Sequence, residues 1–215
     1  MTIFDQFHQT GVIPVVEIDD PNAALPLAQA LAAGGLPVIE ITLRTGAALE
    51  AIRRIANGAA DMLVGAGTVI NPEQASVAVQ AGARFLVSPG LPEPVIRWAQ
   101  AHSIPVLPGV LTPTEIIQAI NLGLSILKFF PSESMGGLKT LKAISDPFPG
   151  LKFIPTGGIR LDNLAEYLRD PKIQAVGGSW LCKRALINSG QFAEIERLAA
   201  EAAQIVTEIR SKETP

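Results

Sequence analysis

The chain has one cysteine, two histidines and no cluster of Lys and Arg, and each scarcity removes a class of function. A single thiol, Cys182, cannot close an internal disulfide and reads as a small buried filler. His8 and His102 fall in or beside helical stretches, away from the strand ends considered below, so no histidine-based zinc site is built. Without a basic stripe, and with a net charge of −3, the chain has little to attract nucleic acid or anionic lipid. No apolar run approaches the roughly 20 residues of a membrane span, and the opening MTIFDQFHQTG lacks a signal-peptide pattern. No Gly-Lys dipeptide occurs, which excludes a Walker phosphate loop. The G-x-G of GAGTVI has Ile70 where a dinucleotide fingerprint needs its third glycine, and it lies mid-chain. The expectation is a cytoplasmic protein with neither nucleic acid nor membrane as partner.

What is present is a 48% hydrophobic, 17% charged chain of 215 residues, enough for one globular domain over 1–215. Short β-type runs recur at 12–18, 37–43, 62–67, 84–89, 104–109, 125–130, 151–156 and 173–178. Ala/Leu/Glu/Arg-rich stretches such as NAALPLAQALAAGG separate them, and that one ends in the Gly that often stops a helix. Asn71-Pro72, Thr112-Pro113 and Asp162-Asn163 read as helix caps or first-turn residues. In QFAEIERLAAEAAQIVTEIR, Phe192, Ile195, Leu198, Ala202, Ile205 and Ile209 share one helical face, which predicts an amphipathic closing helix. Eight strand–helix units without a linker predict an α/β fold of parallel strands. The reading is a single (β/α)8 TIM barrel with an N-terminal helix and the C-terminal closing helix. An open doubly wound sheet is the second reading.

A barrel puts its chemistry at the C-terminal ends of its strands. There the second strand carries EITLRT and the sixth carries LKFFPSE. Lys128 is the only charged residue between Ile116 and Ser132, and Glu40 likewise interrupts an apolar strand. By alternation Glu40 shares a face with Val38, and Lys128 shares one with Ile126 and Phe130. Both strands are even-numbered, and alternate strands fill a common barrel layer, so the two side chains are expected to converge. The plain alternative is a structural buried ion pair. Desolvation lowers the pKa of an amine, a neutral amine attacks a ketone to give a Schiff base, and a nearby carboxylate can move the protons this requires. Glu17 and Glu40 end adjacent strands and offer Mg²⁺ a minor prospect.

The remaining strand ends offer smaller signals. Gly157-Gly158 and Gly177-Gly178-Ser179 follow the seventh and eighth strands, where such barrels commonly cradle phosphate on backbone N–H groups. Tight turns alone would also explain these glycines. Arg44 is suited to a bidentate grip on a carboxylate, or is an ordinary rim charge. Thr68 and Thr156 can donate to a ligand oxygen or satisfy local backbone. Trp98 reads as core, and Trp180 as packing beneath the phosphate loop.

Taken in order, EITLRT, VGAGTV, SPG, LPGVLTPTE, LKFFPSE, PTGGI and GGSWL resemble the signatures of the 2-keto-3-deoxy-6-phosphogluconate (KDPG) and 4-hydroxy-2-oxoglutarate aldolase family over roughly residues 10–185. The resemblance implies a homotrimeric barrel and a class I aldolase that uses neither metal nor cofactor. Such an enzyme splits the phosphorylated keto acid KDPG into pyruvate and glyceraldehyde 3-phosphate, typically in the Entner–Doudoroff pathway, or 4-hydroxy-2-oxoglutarate into pyruvate and glyoxylate. It also implies Lys128 as the Schiff-base lysine and Glu40 as the general acid/base. Arg44 and Thr156 would hold the pyruvyl carboxylate with Thr68 close by, Gly157, Gly158, Gly178 and Ser179 the phosphate end, and Pro89 and Phe130 would wall the bond that breaks. A galactonate-specific branch has Asn-Ser in place of Arg44-Thr45, which favours the gluconate substrate. Glu17 departs from many relatives, which carry an apolar or basic residue there, and is placed to pair with Arg44 or alter substrate choice. Two further readings remain open: a phosphosugar isomerase or epimerase barrel, which would have no use for a buried amine, and a non-catalytic phosphosugar-binding protein.

Overall fold

The structure, a computed structural model, describes residues 2–212; Met1 and residues 213–215 of the expected 1–215 domain lie outside them. Every expected strand position holds a strand. These are β1 (Val12–Val16), β2 (Val38–Thr42), β3 (Leu63–Gly67), β4 (Leu86–Val87), β5 (Val106–Leu107), β6 (Gly109–Val110), β7 (Ile126–Phe129), β8 (Lys152–Pro155) and β9 (Val176–Gly178). The expected fifth strand is thus two short pieces, and the expected sixth, seventh and eighth are β7, β8 and β9. Helices alternate with them: α1 (Ile3–Thr10), α2 (Ala24–Ala33), α3 (Ala48–Gly58), α4 (Pro72–Gln80), α5 (Glu93–Ala101), α6 (Pro113–Asn121), α7 (Gly137–Ser145), α8 (Leu161–Leu168), α9 (Arg184–Asn188) and α10 (Phe192–Arg210).

Local chemistry accounts for the helix starts. Asn71 caps α4 by accepting from the Gln74 N–H at 2.8 Å, with Pro72 in the first turn. Thr112 and Glu115 cap α6 reciprocally. Asp162 lies in the first turn of α8, where Asn163 accepts from the Arg160 N–H at 2.8 Å. Helix α10 buries Ile195, Ala199, Ala202, Val206 and Ile209, so the expected apolar face is present and centres on Ala199 and Ala202.

All strand pairs are parallel. The larger sheet has the order β5-β4-β3-β2-β1-β9 and the smaller β6-β7-β8. The larger sheet follows chain order and receives the last strand beside the first. A doubly wound sheet instead reverses its order at a switch point. The uninterrupted ladder of a closed (β/α)8 barrel is not formed, however, and the sheets are open. Pro108 stands between β5 and β6 and has no N–H to donate, although its carbonyl accepts from the Lys128 N–H at 2.9 Å. Between β8 and β9 only two isolated bridges form, Phe153 with Ile173 and Thr156 with Gly177. Pro155 lies between those bridges and again cannot donate.

Alternation along each strand divides the apolar side chains in two. Ile39, Ile41, Val64 and Ala66 face the helices in the larger cluster. Ile13, Val38, Leu63, Phe85, Leu107 and Ile154 form a second cluster on the opposite face, which Phe7 of α1 joins by an edge-on contact with Phe85. Ile126 packs on this inner cluster, so Glu40 and Lys128, two residues beyond Val38 and Ile126, stand directly above it.

Candidate active site

Glu40 is paired in register with Val15 and Gly65, and Lys128 with Gly109 and Ile154. The two therefore belong to different sheets, yet Lys128 Nζ lies 3.7 Å from Glu40 Oε1. Both residues are buried, at 6% and 3% exposure, directly above the hydrocarbon of the inner cluster. The Phe130 ring centroid is 5.2 Å from the same Nζ. An amine so placed meets a carboxylate on one side and an aromatic face on another.

Room for Glu40 comes from a residue that sequence reasoning missed. A Cβ on Gly67 would fall 2.1 Å from Glu40 Oε1, so any side chain there would have to displace the carboxylate. Gly67 lies on the same strand face as Leu63 and is paired with Thr42, two residues past Glu40, a register that only the folded sheet supplies.

The other expected residues follow the C-terminal ends of neighbouring strands. Thr68 directly follows β3 and has φ +60°, a left-handed conformation that costs a β-branched residue about 1–3 kcal/mol. Thr156 is buried at the end of β8, and its bridge to Gly177 places the Gly157-Gly158 turn beside Gly177-Gly178-Ser179. Gly157 and Gly158 have φ of +100° and +81°, which requires glycine whatever else the turn does. The Trp180 ring lies against Gly178, as expected for a residue packed below that loop. Pro89 follows β4, and its carbonyl backs onto Gly109 of β6. Trp98 is only half-buried, with His102 stacked on it at 4.0 Å, and Cys182 is buried, which pushes its thiol pKa far up.

Arg44 is at the exposed rim, and its Nη2 is 3.0 Å from Glu17 Oε2. Glu17 also accepts from Arg184, whose guanidinium takes Asp19 on its other edge, with Nε to Oδ2 at 2.9 Å. Asn188 donates to the same Asp19 oxygen at 2.9 Å. Hydrogen bonds from Arg184 and then Asn188 hold the Asp19 carboxyl below its ordinary pKa, and Asp19 in turn raises that of Arg184. The expected Glu17–Arg44 pair is thus formed, while Arg184 carried no signal in the sequence. Glu17 is engaged by two arginines. Among the described residues no three His, Cys, Asp or Glu side chains gather to hold a metal ion, and no helix is long and apolar enough to cross a membrane.

Comparison with known proteins agrees with this arrangement. The family model for KDPG and KHG aldolases matches residues 3–198. The 2-dehydro-3-deoxy-phosphogluconate aldolase of Treponema pallidum is 44% identical over 96% of this chain and 98% of its own. The KHG/KDPG aldolase of Escherichia coli K12 is 44% identical over 90% and 91%. Among solved structures, the KDPG aldolase of Legionella pneumophila, with pyruvate captured at low pH as a covalent carbinolamine intermediate, superposes with a TM-score of 0.90. It has 42% identity, over 94% of this chain and 98% of that one. With the motifs, the strand order and the buried lysine–glutamate pair, these matches establish that the chain belongs to the KDPG and KHG aldolase family.

Proposed function

We propose that the chain is a class I aldolase that cleaves KDPG to pyruvate and glyceraldehyde 3-phosphate, and 4-hydroxy-2-oxoglutarate to pyruvate and glyoxylate. The observation that carries this reading is the buried approach of Lys128 Nζ to Glu40 Oε1 at 3.7 Å. The amine of Lys128 attacks the C2 ketone, and loss of water from the carbinolamine gives a protonated imine. Glu40 then takes the proton of the C4 hydroxyl as the C3–C4 bond breaks, and the bonding pair moves into the imine to leave an enamine. Protonation at C3 and hydrolysis release pyruvate and restore the lysine.

In this reading Arg44 and Thr156 hold the keto acid's carboxylate, with Thr68 close by. Gly157, Gly158, Gly178 and Ser179 hold the phosphate, and Pro89 and Phe130 enclose the bond between them. The two open sheets act as one barrel around this centre, a view supported by the β9–β1 pairing and the Thr156–Gly177 bridge. Exposed Ile70, Val77, Ile117 and Ile120, on and beside α4 and α6, support assembly into the trimer. The enzyme works as one domain in the cytoplasm.

Borohydride reduction in the presence of pyruvate should add a stable mass to the peptide containing Lys128; an unmodified lysine overturns the mechanism. Pyruvate release compared across KDPG, its galactonate epimer and 4-hydroxy-2-oxoglutarate ranks the substrates, and KDPG should lead.

A further inference from the structure

The chain has a single tyrosine, and α8 buries it behind the loops that follow β7 and β8. Tyr167 Oη donates to Glu133 Oε1 and lies 2.9 Å from Ser132 Oγ. A phenol has one proton to give. With that proton on the carboxylate side, the fully buried Ser132 hydroxyl is the donor to the phenol oxygen.

These two partners are not incidental to the site. The Ser132 N–H donates to the Thr156 carbonyl at 2.8 Å, and the Glu133 N–H to the Gly157 carbonyl at 3.0 Å. A Cβ on Gly158 would lie 2.4 Å from Glu133 Cβ, so the glutamate stem rests directly on the turn. On its other side, a Cβ on Gly137 would come 2.6 Å from Glu133 Oε1 and 3.1 Å from Tyr167 Oη. The carboxylate is therefore held between α7, α8 and the Gly157-Gly158 turn. Two successive glycines have little conformational preference of their own, so the shape of that turn must be imposed by what packs on it. Burial, and next the Glu133 carboxylate, push the phenol pKa well up from its ordinary value, so the hydroxyl stays a donor into alkaline solution as well.

We propose that Tyr167 is a positioning residue for the phosphate end of the substrate. Through Ser132 and Glu133 it fixes the Gly157-Gly158 turn relative to the strand that carries Lys128. This assignment rests on the aldolase reading above, in which that turn holds the phosphate.

Tyr167→Phe keeps the buried ring and removes the hydroxyl. The KM for KDPG should rise about tenfold, the effect of one hydrogen bond to a charged group, with kcat within about twofold. The pyruvate concentration that half-saturates borohydride trapping at Lys128 should stay unchanged, because pyruvate has no phosphate. A general loosening of the structure would shift both, and that parallel shift overturns the assignment, as does an unmoved KM for KDPG. If the parent enzyme leaves Lys128 unlabelled, the aldolase reading falls and takes this assignment with it. A labelled parent with an unmoved KM sinks the assignment alone. Should Tyr167→Phe not fold, Glu133→Gln carries the same test by weakening the charged partner. Its KM for KDPG should rise about threefold with pyruvate trapping unmoved, and equal values for parent and variant overturn the proposal.

Discussion

The Lys128–Glu40 pair and the Arg44–Glu17–Arg184–Asp19 chain are both ion pairs at the C-terminal ends of strands. One lies in the interior and the other at the rim. Side-chain exposure is 8% and 5% for the inner pair, against 53% for Arg44 and 21% for Glu17. In the interior, neither charge can exchange its partner for water, so the pair is costly to break and each group depends on the other. At the rim, water and salt stand in for a missing partner, and an exposed ion pair contributes about 0–1 kcal/mol. The same residue types thus form a buried, mutually dependent pair in one place and a surface strap in the other.

That contrast can be tested by removing one partner from each set. Lys128→Met should lower pyruvate release from KDPG by at least about 10³-fold, since no other amine replaces the nucleophile. It should also destabilise the fold by about 3–5 kcal/mol in urea melts, because Glu40 is left buried and unpaired. Adding Glu40→Gln should recover most of that loss without restoring turnover. Activity that survives Lys128→Met would favour an isomerase or epimerase.

Glu40→Gln alone should lower kcat by about 10²–10⁴-fold while Lys128 still traps pyruvate, though more slowly. Persistence of full activity would mean that the carboxylate is structural. Gly67→Ala tests how finely the interior is fitted. Its Cβ would collide with Glu40 Oε1 at 2.1 Å, and displacing that carboxylate by about 1 Å should cost up to about 10²-fold in kcat. A fall in stability at unchanged kcat would show that only packing was disturbed.

The smallest effect belongs to the rim. Asp19 titrates below the ordinary aspartate value of 3.8, so its contribution to stability is present above that pH and fades as pH falls below it. Asp19→Asn should therefore melt slightly below the parent at neutral pH, and the two should converge in acid. A large difference that persisted in acid would mean that the rim chain behaves like the interior pair.

How far the sequence could be read follows the same division. Lys128 and Glu40 were legible because a charge in an apolar strand is anomalous by itself, and alternation fixes which face it takes. The helix caps at Asn71 and Thr112 were legible because capping is settled within four residues. The break at Pro108 was less so, since a proline within a β-type run shows that a donor is missing but not which neighbour lacks it. Gly67 went unnoticed because a glycine shows its purpose only when the neighbouring strand is in register. Arg184 and Tyr167 went unnoticed because their partners lie 167 and 34 positions away in the chain.

The sequence by itself determined the parallel α/β class, the strands that carry the two buried charged residues, and the chemical character of those two groups. These depend on periodicity and local composition, which act over a few residues. Tertiary structure alone decided that Lys128 and Glu40, from separate sheets, come within 3.7 Å, and that Arg44 is held by Glu17. It also decided that a tyrosine on α8 braces the turn after β8. Such contacts join residues that only a folded chain brings together, and their geometry is set by register and packing between elements.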